Sequence, residues 1–167
     1  MLKTGENLQS AFIAESQANR RYLFFAEKAE KEGRSQIARL FRAVAEAKAV
    51  HANNHFTAMD EIEPTEDNLL TCIVAEHHGF TRVYPSFIEQ AKSGSNGRAQ
   101  LSFAYANEVA QIHHARLQEA LRAVEKGHQL KAEPYFVCQV CGNTVAGEAP
   151  EQCSICGAPG SKFKRVE

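Results

Sequence analysis

The chain has 167 residues, of which 44% are hydrophobic and 23% are charged, a composition typical of folded domains and unlike that of disordered chains. The 19 basic and 20 acidic side chains leave a formal net charge of −1, so we expect neither nucleic acid nor a membrane surface as a partner. No apolar run approaches the roughly 20 residues of a membrane-spanning helix, and the first residues lack the pattern of a secretory signal. The sequence therefore predicts a cytoplasmic protein.

The composition changes sharply near the C-terminus. Residues 127–167 hold five of the ten glycines, three of the five prolines and four of the five cysteines, whereas six of the seven histidines precede them. Such a change indicates a domain boundary. We therefore predict a helical domain at residues 1–128, a linker at residues 129–134 and a small C-terminal domain at residues 135–167.

Four long segments of the first part have the 3.6-residue period of amphipathic helices. They cover approximately residues 6–31, 35–59, 65–94 and 96–126. Ser35 and Thr65 are predicted N-caps, and Pro85 should bend the third helix because proline lacks a backbone N–H. Four helices of this length with short connections predict an all-α fold, a four-helix bundle.

The predicted inward faces include Phe25 on the first helix, Ile37 on the second, Phe87 on the third and Val124 on the fourth. Each of these apolar faces is interrupted by polar residues. They are Glu15 on the first helix, Lys48, His51 and His55 on the second, Glu76 on the third and His113 on the fourth. A carboxylate in an apolar core is costly unless it is paired or binds a metal, so these residues indicate buried ion pairs or a metal site. Di-iron carboxylate bundles use two single Glu residues and two Glu-x-x-His pairs. Here Lys48 and Ala110 stand three residues before the histidines.

Several strings in the helical part are characteristic of one family. They are AESQANRRY at residues 14–22, LFRAVAEA at 40–47, VYP at 83–85, YANEV at 105–109 and IHH at 112–114. Through them the chain closely resembles the rubrerythrins over its full length. The resemblance implies a ferritin-like four-helix bundle with a rubredoxin-like tail, a homodimer, and reduction of hydrogen peroxide at a di-iron centre. It also implies that the rubredoxin-type iron of one chain passes electrons to its partner's di-iron centre; the external redox partner is not specified.

Three positions depart from the ligand pattern of that family, which has Glu where this chain has Lys48, Gly79 and Ala110. The resemblance implies that Lys48 and Ala110 replace the two carboxylates that bridge the irons. Gly79 replaces a further carboxylate that this family adds to the usual set.

These departures change the charge of the implied site. With Lys48 protonated beside Glu15 and Glu76, two divalent ions would lie close together without a bridging ligand. We therefore expect a metal-free bundle, in which Lys48 pairs with both carboxylates, or a single ion such as Zn²⁺, rather than a di-iron centre. The ligands of a residual site would be Glu15, His51, Glu76 and His113. Around it we expect Tyr22, His55 and Tyr84, either as hydrogen-bonding partners or as core packing.

The C-terminal part carries two C-x2-C pairs separated by eleven residues, Cys138 with Cys141 and Cys153 with Cys156. Four thiolates in this arrangement form a tetrahedral site that suits a single iron or Zn²⁺, whereas disulfides are disfavoured in a cytosolic chain. A domain this short builds little apolar core, so the metal should supply most of its folding free energy. The resemblance favours iron, with zinc as the alternative.

Two hypotheses for the function follow. In the first, the protein reduces peroxide at a metal held by the helical part. In the second, it is a non-catalytic electron carrier, redox sensor or scaffold whose bundle holds one metal or none. In the first hypothesis the iron of the four-cysteine site is the redox centre, whereas in the second that site holds iron or zinc. Metal analysis with a peroxide assay distinguishes them.

Overall fold

The computed structural model of the chain describes residues 2–166. Its helices are α1 (Leu2–Lys31), α2 (Ser35–Ala58), α3 (Thr65–His78), α4 (Tyr84–Ser93) and α5 (Gly97–Glu125), with a π-helical turn at Gly79–Val83. Three strands follow, β1 (Tyr135–Cys138), β2 (Thr144–Ala146) and β3 (Phe163–Val166). The long part is therefore helical, as predicted. Two compact units divide the chain, Met1–Glu63 and Pro64–Glu167.

The first unit is a hairpin of α1 and α2. Gly33, with φ of 73°, ends α1, in the left-handed conformation that glycine adopts at helix ends. Small side chains line the contact between the helices, and they are Ala26, Ala29, Ala38, Ala45 and Ala52, each at most 8% exposed. The Asn19 side chain donates to the Ala45 carbonyl at 2.8 Å and ties the two helices together.

Two predicted helix caps are wrong. Ser35 and Thr65 are the first residues of α2 and α3, not the residues that precede them. The Ser35 hydroxyl donates instead to the Glu30 carboxylate at 3.2 Å. Asn96 does cap α5, since its side chain accepts a hydrogen bond from the Ala99 backbone N–H at 3.1 Å.

Several side chains of the predicted core are exposed in the single chain. Phe25, Ile37, Phe87 and Val124 retain 49%, 42%, 41% and 39% of their accessible surface. Helical periodicity identifies which face of a helix is apolar, but burial also requires a surface that covers that face. The predicted burial of these four residues is therefore wrong for the isolated chain.

The second unit contains α3, α4 and α5 followed by the strands. The helix predicted over residues 65–94 is interrupted by the π-helical turn Gly79–Val83, after which Pro85 lies in the first turn of α4. A proline is tolerated there because the first residues of a helix have no intrahelical acceptor for their N–H groups. The interruption keeps Glu76 on α3, leaves Phe80 in the π-helical turn and puts Tyr84 and Phe87 on the separate helix α4.

The strands form an antiparallel sheet in the order β2–β1–β3. Phe136 pairs with Val145 on one side and with Arg165 on the other. At the end of this pairing Val137 of β1 lies opposite Thr144 of β2, and the Cys138 N–H donates to the Asn143 carbonyl at 2.9 Å. The predicted linker, residues 129–134, contains no helix or strand, and the domain boundaries stay a prediction. Within residues 2–166, no helix is long and apolar enough to cross a membrane.

Candidate metal centres

The four cysteines of the C-x2-C pairs converge on one point, with their sulfur atoms all within 4.8 Å of one another. Cys138 Sγ lies 3.7 Å from Cys156 Sγ, and Cys141 Sγ lies 3.5 Å from Cys153 Sγ. The first cysteine of each pair is buried, whereas the second is partly exposed. The close pairs join opposite knuckles, which is the arrangement of a tetrahedral ligand set.

Two glycines close the knuckles. Gly142 and Gly157 have φ of 86° and 72°, a region that glycine enters without steric cost. Their N–H groups donate to the carbonyls of Cys138 and Cys153, each at 2.9 Å. These turns hold both thiols of each pair toward the same point.

Hydrogen bonds from the backbone favour thiolates at this site. Burial alone would raise the pKa of the Cys153 thiol, but the N–H groups of Cys156 and Ile155, together with the Asn143 side chain, lower that pKa to about 6. Burial raises the pKa of Cys141, although the Asn143 backbone N–H opposes the rise. A metal ion must displace the remaining thiol protons. The donor set fits a single iron or zinc ion.

Sequence reasoning missed Asn143. It is 2% exposed, and its side chain lies 3.6 Å from Cys153 Sγ and 3.4 Å from Ser154 Oγ. A polar side chain directly after a knuckle glycine was the only signal, because the contact joins the two knuckles across the fold.

In the α1–α2 hairpin, the ammonium group of Lys48 forms an ion pair with the carboxylate of Glu15. Lys48 Nζ lies 3.0 Å from both Glu15 oxygens, and His51 Nδ1 lies 3.3 Å from Glu15 Oε2. The hydrogen bond from Lys48 is the main cause that lowers the pKa of Glu15. The pair stabilises the hairpin above the usual carboxyl pKa, and this contribution is lost as the pH falls through the lowered pKa. The side chains are 27% and 21% exposed, so the pair is less buried than expected.

In the second unit, His113 of α5 bonds through both ring nitrogens. Its Nδ1 lies 3.3 Å from Glu76 Oε1, and its Nε2 lies 3.0 Å from Thr144 Oγ1. Arg116 Nε donates to the Thr144 carbonyl at 3.0 Å. The four-cysteine domain therefore contacts α5 of its own chain, and it does so at a histidine predicted as a metal ligand.

The structure gives packing or burial for the remaining predicted site residues, and their roles at a metal site stay predictions. Tyr22 packs against Phe25 and Phe41, with ring centroids 6.1 Å away in each case. A Cβ placed on Gly79 would lie 3.5 Å from the Tyr84 ring, which is ordinary van der Waals contact. The further predicted positions are Ala110, which is 3% exposed, and His55, which is partly buried on α2. In the part of the chain that the structure describes, only the four cysteines bring three or more potential metal ligands together within 4.8 Å.

Comparison with known proteins decides the family. The sequence profile described as Rubrerythrin matches residues 6–133, and the profile of the rubrerythrin rubredoxin-like domain matches residues 136–164. The chain belongs to the rubrerythrin family. It is 34% identical to Rubrerythrin-2 of Clostridium acetobutylicum, an alignment that covers 96% of this chain and 95% of that relative.

The chain is also similar to nigerythrin, both in sequence and in structure. Nigerythrin of Nitratidesulfovibrio vulgaris is 30% identical, over 96% of this chain and 85% of its own. A solved structure of mixed-valence nigerythrin matches with a TM-score of 0.56 at 29% identity, over 98% of this chain and 86% of that one. The predicted fold is confirmed: ferritin-like helices followed by a rubredoxin-like domain.

Proposed function

We propose that this protein is a rubrerythrin-type redox protein in which the iron of the four-cysteine site is the working centre and peroxide reduction in the helical part is impaired. Membership of the rubrerythrin family supports the redox role. A solved nigerythrin structure in a fully reduced, all-ferrous state supports iron as the metal. The observation that carries the impairment is the contact of Lys48 Nζ with both oxygens of Glu15.

Each helical unit, taken by itself, is short of metal ligands. In the hairpin, a divalent ion at Glu15 would have to displace the Lys48 ammonium, because like charges in one pocket repel. On α5, Ala110 stands three residues before His113 and supplies no carboxylate. A di-iron centre needs bridging carboxylates to hold two cations close together, so the residues present do not fit an ordinary one.

The four-cysteine site fits its metal. When iron is bound there, it supplies one-electron transfer without bond making. The protein's part is to hold the four thiolates, to stabilise their charge by backbone N–H groups, and to leave Cys141 and Cys156 partly exposed. Thiolates near the surface allow electrons to reach the site from an external donor, so the arrangement is that of an electron carrier.

We also propose that the protein is a cytoplasmic homodimer. Reduced thiols, which the metal site requires, persist in the cytoplasm. The hairpin exposes large apolar side chains that a second chain would cover, and they are Ile13, Phe24, Phe25, Ile37, Leu40 and Val50, each at least 42% exposed. Light scattering at micromolar concentration should give the mass of two chains, and the mass of one chain would contradict the dimer.

Metal analysis combined with a peroxide assay tests the proposed function. Protein expressed in iron-supplied cells should contain one iron per chain, be red when oxidised and lose its colour on reduction. Peroxide consumption should not exceed that of the Cys141→Ser variant. One zinc per chain in colourless protein would contradict the electron carrier, and three irons per chain with rapid peroxide turnover would contradict the impaired site.

A further inference from the structure

A line of hydrogen bonds joins α3 to one sulfur of the four-cysteine site within the second unit. Glu76 Oε1 lies 3.3 Å from His113 Nδ1, His113 Nε2 lies 3.0 Å from Thr144 Oγ1, and Thr144 Oγ1 donates to the Gly142 carbonyl at 3.1 Å. The Asn143 backbone N–H acts on the Cys141 sulfur as a donor that lowers the pKa of the thiol. The carbonyl of Gly142 and the N–H of Asn143 belong to the same peptide group, so the line is continuous.

The Thr144 hydroxyl is the branch point of this line, because it has one proton and two neighbouring acceptors. The neutral His113 ring can place its proton on Nδ1, where it donates to Glu76, and Nε2 then accepts from Thr144. When the ring proton is on Nε2, that nitrogen donates to Thr144, and the hydroxyl donates to Gly142. The direction of the Thr144 hydroxyl therefore follows the tautomer of His113.

The hydroxyl direction matters to the metal site. A hydrogen bond to a peptide carbonyl polarises the whole peptide group and strengthens the hydrogen bond that its N–H makes. Donation from Thr144 to Gly142 thus strengthens the Asn143 N–H bond to Cys141. Hydrogen bonds to the sulfurs help to set the reduction potential of an iron–thiolate site, because they stabilise the more negative, reduced form.

We propose that Thr144 is a positioning residue that couples the hydrogen bonding of His113 to the reduction potential of the four-cysteine iron in the same chain. The inference rests on the proposed iron-based function and adds a link between the two domains. Whereas the resemblance implies electron exchange between chains, this link lies within one chain.

Other contacts hold the Thr144 backbone in place independently of its hydroxyl. Arg116 Nε donates to the Thr144 backbone carbonyl at 3.0 Å. A Cβ built on Gly142 would lie 3.8 Å from Val109 Cγ1, so the knuckle also packs against α5. Replacement of the hydroxyl by a methyl group should therefore remove the relay and leave the domain docked.

A double-mutant cycle on the full-length, iron-loaded protein tests the coupling. We expect Thr144→Val to lower the midpoint potential, measured spectroelectrochemically at fixed pH. Thr144→Ser keeps the hydroxyl and should have the midpoint potential of the unaltered protein. His113→Phe should raise the potential, because the hydroxyl is then left with only the Gly142 carbonyl. The double variant should match Thr144→Val, since the effect of His113 passes through the hydroxyl.

Thr81→Val is the matched control, because the Thr81 hydroxyl bonds the His77 carbonyl within a helical segment and its loss should leave the potential unchanged. In zinc-substituted protein, His113→Phe should shift the Asn143 amide proton resonance from its position in the unaltered protein. In the Thr144→Val background, the same substitution should cause no further shift. Additive effects of the two substitutions, or an unchanged midpoint potential in Thr144→Val, would overturn this inference and leave the proposed function intact. Failure to take up redox-active iron would overturn the proposed function as well.

Discussion

Cys141→Ser should abolish tight metal binding and unfold residues 135–167, while the helices remain. A structural metal contributes roughly 10–16 kcal/mol to the folding of small thiolate domains, and the short sheet has little other core to replace it. Metal analysis should show less than stoichiometric metal, and limited proteolysis should cleave after α5 (Gly97–Glu125). Far-UV circular dichroism should retain the helical signal.

Cys72→Ser is the control for this experiment. Cys72 is an exposed free thiol on α3 that lies outside the four-cysteine cluster. Its replacement should leave metal content and proteolytic resistance unchanged. Loss of the helical signal in Cys141→Ser would refute the predicted independence of the helical domain, because the helices would then depend on the metal.

Restoring the three departing residues together, by Lys48→Glu, Gly79→Glu and Ala110→Glu, should recreate binding of two irons and reduction of peroxide. Lys48→Glu removes the ammonium from Glu15, and Gly79 has room for a side chain beside the Tyr84 ring. Changes in the ligand environment of metal sites typically alter affinity or activity by about 10–100-fold, so we expect at least that gain. Iron stoichiometry and stopped-flow peroxide consumption measure it.

The thermal stability of the triple variant is an independent test of its metal binding. Ala110 is 3% exposed, so a glutamate there buries a charge and should cost about 3–5 kcal/mol in the absence of a partner. A bound divalent metal should recover much of this loss, since a ligand that binds only the folded state stabilises it. The thermal midpoint of the triple variant should therefore rise strongly on addition of Fe²⁺.

Single substitutions separate the ligand effect from the charge effect. Lys48→Gln removes the ammonium without adding a metal ligand and should not gain peroxide reduction. Lys48→Glu alone should also be insufficient, because Ala110 and Gly79 still supply no carboxylate. Two irons bound by the helical part of the unaltered protein, with rapid turnover, would refute the argument from Lys48.

Local sequence signals predicted much of the fold and of the four-cysteine site. The C-x2-C spacing and the glycine after each pair specify a knuckle by themselves, because all the atoms that close each turn lie within five residues. Periodicity likewise predicted the long helices. The departures at Lys48, Gly79 and Ala110 were readable because the surrounding strings resemble the rubrerythrins.

Contacts between residues distant in sequence were decided by the tertiary structure. Lys48 meets Glu15 across 33 positions, and His113 meets Thr144 across 31. Neither pair follows from local pattern, since periodicity assigns a residue to a face but does not specify which residue lies opposite. The same reason explains the exposed face of the hairpin and the role of Asn143. The sequence by itself determined the cysteine ligands and the long helices. Tertiary packing decided that the Lys48 ammonium pairs with the Glu15 carboxylate and that Thr144 of the C-terminal part bonds His113 of the helical part.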